Sequence, residues 1–256
     1  MFLTKRRKFI LSSLLLTAGL CYTQFGRPTD RYQMIALLSF LAIPLTWWSL
    51  KEALSGPIWL VYSILPAFFT AGVGLFYFLL PASILVAFPV MIFFFLGMYA
   101  LFLSENIFAV ATIRTIQLFR SASAVSFLLI LVISFLLYDT VFSFRLPYYY
   151  NSFWVFVISF PLFLHGTWSV NLEEKITSKI LLFSFILSLG IGEIALVLSF
   201  WPTTMLTSLF LTSLTYVSLG LAQASLSDRL FNKTIKEYLF VGIAVLVILL
   251  FYTTWG

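Results

Sequence analysis

Apolar residues fill the chain in long runs, and short polar clusters separate the runs from end to end. Each run is about 17–25 residues long, enough to cross a hydrocarbon layer about 30 Å thick as a helix. The pattern predicts nine helices, over 9–24, 32–50, 57–79, 82–103, 121–142, 151–170, 180–200, 203–224 and 238–255. No Ser/Pro/Gly linker divides them. The expected fold is therefore all-α, a polytopic transmembrane helical bundle in a single domain over residues 1–256. One segment departs from the pattern. In ENIFAVATIRTIQLFR, residues 105–120, Asn106, Arg114, Gln117 and Arg120 recur at helical spacing, with apolar residues elsewhere around the helix. It reads as a cytoplasmic interfacial helix whose Arg114 and Arg120 contact anionic lipid headgroups, or equally as an inward extension of the next span.

Composition strengthens the membrane reading. The chain is 62% hydrophobic, 19% aromatic and only 9% charged, against about 25% charged residues in a soluble domain. So few charges cannot cover a water-facing surface, so lipid is the expected solvent. Charge placement then sets orientation. Lys5, Arg6, Arg7 and Lys8 precede the first run, which puts the N-terminus in the cytoplasm. With nine crossings the C-terminus lies outside. Those four residues, with Lys51, Arg114, Arg120, Lys175, Lys179, Arg229, Lys233 and Lys236, then fall inside; Arg27, Arg31 and Arg145 fall outside. The expected location is the cytoplasmic membrane of a bacterial-type cell.

The N-terminal KRRK with its apolar run has the layout of a secretory signal. It is read as an uncleaved first helix, because its fit to a small-residue cleavage site is imperfect. Cys21 follows Leu20, where a lipid-modified cysteine would follow a small residue, and one cysteine makes no internal disulfide. Asn232-Lys233-Thr234 matches a glycosylation acceptor, but the charge count places it in the cytoplasm. The basic tetrad abuts a span and is read as juxtamembrane, with no nucleic-acid partner.

Four spans carry internal proline, Pro44, Pro66, Pro89 and Pro161. Each frees a carbonyl that must find another partner in lipid. Such breaks occur in transporter sites and also as plain kinks.

The chemistry of interest centres on span seven. Ser184, Ser188, Gly192, Ala195 and Ser199 repeat at steps of four, four, three and four, which makes one face of small residues. Such faces let membrane helices approach closely. Glu193 follows Gly192, about 100° around the helix, and is expected to border this seam and avoid lipid. It lies roughly 21 Å from Lys179 along the axis, where a bare charge is costly. Two arrangements relieve that cost: a protonated carboxyl bonded to another helix, or a carboxylate facing water or a cation. His165 on span six is one prospective partner. The hydroxyls of Thr204, Ser208, Thr212, Thr215 and Ser218 on span eight are another. Glu193 and His165 thus form the candidate buried polar site. Asp139 and Arg145 form a candidate outer-face pair, a salt bridge or cap at the end of span five.

Several chemistries are excluded. One histidine cannot make HExxH, and neither GxSxG nor GxxxxGK[ST] is present. Glu173-Glu174 lacks the basic spacing and histidines of membrane-embedded CAAX-type proteases. No cofactor, metal site or catalytic motif is read. The short basic N-terminus, Phe-rich spans and lack of a soluble domain resemble uncharacterised multi-pass inner-membrane proteins of bacteria with small genomes. That likeness of style transfers no activity and no site. Three functions fit the sequence. The first is a small transporter or permease-like component built around Glu193. The second is a structural or partner-binding subunit of a membrane assembly. The third is a lipid-handling enzyme using Asp139, Arg145 and nearby tyrosines.

Overall fold

The computed structural model describes residues 4–25, 30–51, 58–81, 83–112, 117–173 and 175–253. Among these the chain is all-helical. Its elements are α1 (Lys5–Phe25), α2 (Arg31–Leu50), α3 (Trp59–Tyr77), α4 (Ile84–Ala111), α5 (Phe119–Ser143), α6 (Tyr148–Asn171), α7 (Ser178–Leu198), α8 (Thr204–Leu226) and α9 (Asn232–Tyr252). Every expected span has its helix. Eight, α2 to α9, are long and apolar enough to cross a membrane. α1, which begins with the basic tetrad, is not among them.

Two boundaries correct the expectation. Residues 105–111 continue α4, which runs on to Ala111, so no separate interfacial helix begins at Glu105. Arg114 lies outside the described residues; Arg120 is exposed in the first turn of α5. α9 starts at Asn232, six residues ahead of the apolar run.

The surface is that of a lipid-solvated protein. Phe251 and Ile84 are 84% and 83% exposed, while Ser and Thr side chains fill much of the interior. Several buried hydroxyls close locally: Thr46 Oγ1 donates to Ala42 O, Thr70 to Pro66, Thr140 to Leu136 and Thr167 to Phe163, at 2.7–2.8 Å. A hydroxyl that bonds its own preceding turn carries no unmet demand into lipid. The four internal prolines all sit within helices.

The chain divides into two compact units, with the boundary inside α5 between Ile133 and Ser134. In the first, α1 and α2 run antiparallel. Lys8 lies over the Trp48 ring, Ser12 bonds Ser49 at 2.8 Å, and Gly19 faces Leu38. α3 returns along α2, with Tyr32 against Phe78 and Gly74 against Ile35. Phe69 of α3 stacks on Phe94 of α4 and covers Gly97. α1 closes on α4 through Phe9 and Phe102.

In the second unit, α6 and α7 form the tightest helix pair. They run antiparallel, Thr167 against Ser184 at 3.0 Å and Asn151 against Ser199 at 3.3 Å. α8 packs on α6, α7 and α9, and the Gln223 amide donates to Gly166 O at 2.8 Å. Gly220 makes room for the Tyr238 ring of α9. α6 ends on left-handed Leu172, and Trp168 Nε1 donates to Glu173 O at 3.0 Å.

Candidate functional site

The small-residue face of α7 is an interface, as its spacing predicts, and its partner is α6. Ser184, Ser188, Gly192 and Ala195 are buried. Ser152 Oγ of α6 donates to Gly192 O at 2.7 Å. A methyl at Gly192 would stand 3.1 Å from Phe156 Cβ and 3.3 Å from Ser152 O. The two backbones are thus nearly in contact.

Glu193 does not border this seam. It is exposed, and helix geometry explains why. At 100° per residue, the five small positions centre about 140° from Glu193. The one-residue offset from Gly192 is measured from the near edge of the face rather than its centre. Glu193 sits instead among exposed Leu182, Ile186, Leu189 and Val197. Only the seam of α7 is buried; its opposite face is open.

His165 and Glu193 are not brought together. His165 is fully buried in α6, its ring edge-on to Trp168 at 5.8 Å. That level of α6 lies near Ser184, which bonds Thr167. Glu193 is nine residues farther along α7, about 14 Å, on the opposite face. The hydroxyls of α8 do not reach Glu193 either. Ser208, Thr212, Thr215 and Ser218 each donate to the carbonyl one turn back, and two of them face α5.

That α5–α6–α8 contact is the buried polar layer of the second unit. Tyr138 OH meets Ser159 Oγ at 2.7 Å and Thr215 Oγ1 at 3.3 Å. Asp139 Oδ1 accepts from Ser208 Oγ at 3.3 Å. All five side chains are buried. Tyr138 was not singled out from the sequence, although a tyrosine inside an apolar run carries its own signal: its hydroxyl needs a partner. Asp139 turns inward to α8, whereas Arg145 is exposed in the α5–α6 connection at φ 50°. The two form no ion pair, so the outer-face pair is not assembled. A helix end six residues before a turn does not aim its side chain at the turn.

Glu105 is a second buried acid that the sequence placed at a polar boundary. It is fully buried on α4 and acts electrostatically on Tyr62 of α3. Among the described residues, no three His, Cys, Asp or Glu side chains gather to hold a metal. An open cleft of 430 Å³ lies between α7 and α8, lined by Leu187, Gly190, Ile194, Leu214 and Leu221 among others. Its walls are apolar, and Glu193 is not on them.

No curated protein and no solved structure matches the chain. Residues 25–252 match the family described as "Protein of unknown function (DUF5656)". The match spans α2 to α9, and with them both the Tyr138–Asp139 layer and the Glu193 face. This membrane-spanning helical chain belongs to the DUF5656 family, whose function is unknown.

Proposed function

We propose that the protein is a membrane-embedded assembly component that docks another transmembrane helix on the outer face of α7. One observation carries this reading. Glu193 is exposed at the centre of an apolar stripe, about 22 Å along a helix of 21 residues. Acidic side chains within spanning helices face a protein interior or a watery cavity, because lipid cannot solvate them. The cleft beside α8 is lined mostly by apolar side chains, and Glu193 is not on its walls. A helix that covers the stripe and bonds the carboxyl removes the cost. A photo-crosslinking residue at position 189 in native membranes tests this: polypeptide adducts are expected there. The same probe at Phe240 of α9, also exposed, should give lipid adducts. Lipid adducts alone at 189 would end this reading.

A permease-type reading draws on a different observation, the buried Asp139 against Ser208. It predicts loss of an uptake phenotype in Asp139→Asn at normal expression. An unchanged phenotype removes it. The assembly reading is preferred because Asp139 already has a protein partner in Ser208, whereas Glu193 is exposed. The lipid-enzyme reading is dropped, since Asp139 and Arg145 do not meet. The membrane in question is a bacterial-type cytoplasmic one, with the basic loops inside and anionic headgroups against Arg120.

A further inference from the structure

The cleft between α7 and α8 plays no part in the docking reading, since Glu193 is not on its walls. On α7 it is lined by Phe183, Leu187, Gly190 and Ile194, at steps of four, three and four along one helix face. On α8 the lining runs from Leu214 to Ser225. Each wall therefore rises roughly 16 Å. One leaflet is half of a hydrocarbon core about 30 Å thick, so about 15 Å, and the cleft is as long as one acyl chain is deep. A volume of 430 Å³ spread over that length leaves a slot on the order of 5 Å wide, narrower than the about 10 Å of a helix. An added methyl at Gly190 meets nothing within 4 Å, so this glycine keeps the α7 side of the slot open.

The chemistry changes at the end marked by Phe183 and Ser225. Lys179 continues the α7 row one turn nearer the helix start and is exposed. α8 closes in a turn through left-handed Asp228, at φ 54°, and Arg229 N donates to Ala224 O at 2.8 Å. This fold-back sets the exposed Arg229 beside the Ser225 turn. Each wall thus ends in a cation one turn past its last lining residue, the level of lipid headgroups. Asp228 is exposed in the same turn, and the two cations outweigh it. We propose that the cleft binds one anionic phospholipid, with an acyl chain in the slot and the headgroup phosphate between Lys179 and Arg229. The length of the slot selects a hydrocarbon chain, and its width excludes a helix. Any lipid can enter a gap between helices; the paired cations make this gap selective for an anionic headgroup.

The test is native mass spectrometry of the purified full chain, titrated with phosphatidylglycerol or phosphatidylethanolamine of equal chain length. One phosphatidylglycerol per chain should be retained, about 5- to 30-fold more tightly than phosphatidylethanolamine, as about 1 kcal/mol per Lys or Arg implies. Lys179→Gln and Arg229→Gln should each weaken phosphatidylglycerol about 5-fold and leave phosphatidylethanolamine unchanged. Both positions are exposed, so neither change disturbs the packing. Lys233→Gln on α9, where the lysine already pairs with Glu237, should alter neither lipid. Gly190→Leu fills the slot and should weaken both. Phosphatidylglycerol with a photoactivatable acyl chain, in vesicles, should label residues 183–194 and 214–225. Equal affinity for the two headgroups overturns the proposal, as does an equal loss with Lys233→Gln, which would mean diffuse attraction only. Labelling no stronger in the cleft than on exposed α9 overturns it as well. A polypeptide adduct from a photo-crosslinking residue at position 187 in native membranes would put a helix in the cleft and also end it. None of these outcomes touches the docking reading, whose probe sits at position 189.

Discussion

The hydroxyls of Tyr138 and Ser159 meet at 2.7 Å, and neither residue has any exposed surface. This contact joins α5 to α6 where the backbones themselves stand apart. The other helices of the second unit pack closely on their neighbours; α5 makes no comparably extensive contact. It is held by long side chains, Tyr138 to Ser159 and Thr215, Asp139 to Ser208. Without a hydrophobic drive between helices in lipid, such bonds and van der Waals fit are what remain.

Tyr138→Phe should therefore cost little and Tyr138→Ala much. The phenylalanine keeps the ring and loses two interhelical bonds. Ser159 and Thr215 retain their bonds to Val155 O and Leu211 O, so no donor is stranded. Interhelical bonds in membranes average about 0.6 kcal/mol, which puts the loss near 1 kcal/mol. Alanine also empties the ring volume, at about 3–5 kcal/mol. Reversible unfolding in mixed micelles checks both values. A loss above about 3 kcal/mol for Tyr138→Phe would mean the hydroxyl does more than join α5 to its neighbours.

Asp139 allows a sharper distinction. In Asp139→Asn the amide oxygen still accepts from Ser208, so stability should stay within about 1 kcal/mol. Asp139→Leu removes both the bond and the buried carboxyl, while Ser208 keeps its bond to Thr204 O. With no donor stranded, the loss should be that of a single bond, about 0.5–1.5 kcal/mol. The same unfolding assay reads both variants. Marked destabilisation of Asp139→Leu would show that the carboxyl anchors more of the fold than Ser208.

Gly190 and Gly192 lie two residues apart on α7 and should respond in opposite ways to alanine. At Gly190 an added methyl meets nothing within 4 Å, and alanine favours the helix. At Gly192 it presses on Phe156 Cβ at 3.1 Å and Ser152 O at 3.3 Å. The second contact is backbone, and Ser152 is held to Gly192 O, so relief means parting the helices. Gly192→Ala should lose about 1–3 kcal/mol, and Gly190→Ala nothing. Equal losses at the two glycines would place the tight approach elsewhere.

These two glycines also show what the sequence reveals. Spans and their order were legible because 20 apolar residues have few other uses. The α6–α7 seam was legible from α7 alone, since small residues at steps of three and four mark close approach whatever the partner. The partner was not legible: the hydroxyl row of span eight offered α8 as readily as α6, while close packing selected α6. Glu193 was misplaced because an angle taken from the nearest seam residue ignores where the face is centred. Glu105 was missed because a charge at the end of an apolar run resembles a boundary. Only the burial of the following turn distinguishes the two.

α1 is not apolar enough to count as a span on hydropathy, and leaving it in the interface would move the N-terminal cations across to the Arg31 side. Its packing argues for crossing. Ser12 lies beside Ser49 and Gly19 beside Leu38, so α1 runs antiparallel to α2. Because α2 is itself long and apolar enough to span, a helix matched to it in this way traverses the same layer. The pairing sets Lys8 over Trp48, next to the Lys51–Trp47 contact at the same end of α2, the basic–aromatic grouping of a cytoplasmic boundary. Counting α1, the crossings are odd in number. Reporters of sidedness should read an N-terminal fusion as cytoplasmic and a C-terminal fusion as external. Single cysteines in the Cys21→Ser background should agree: one beside Arg145 should react with an impermeant thiol reagent from outside, and one beside Lys175 only after the membrane is opened. Both fusions in one compartment would leave α1 lying along the surface and remove the basis for the depth assigned to Glu193.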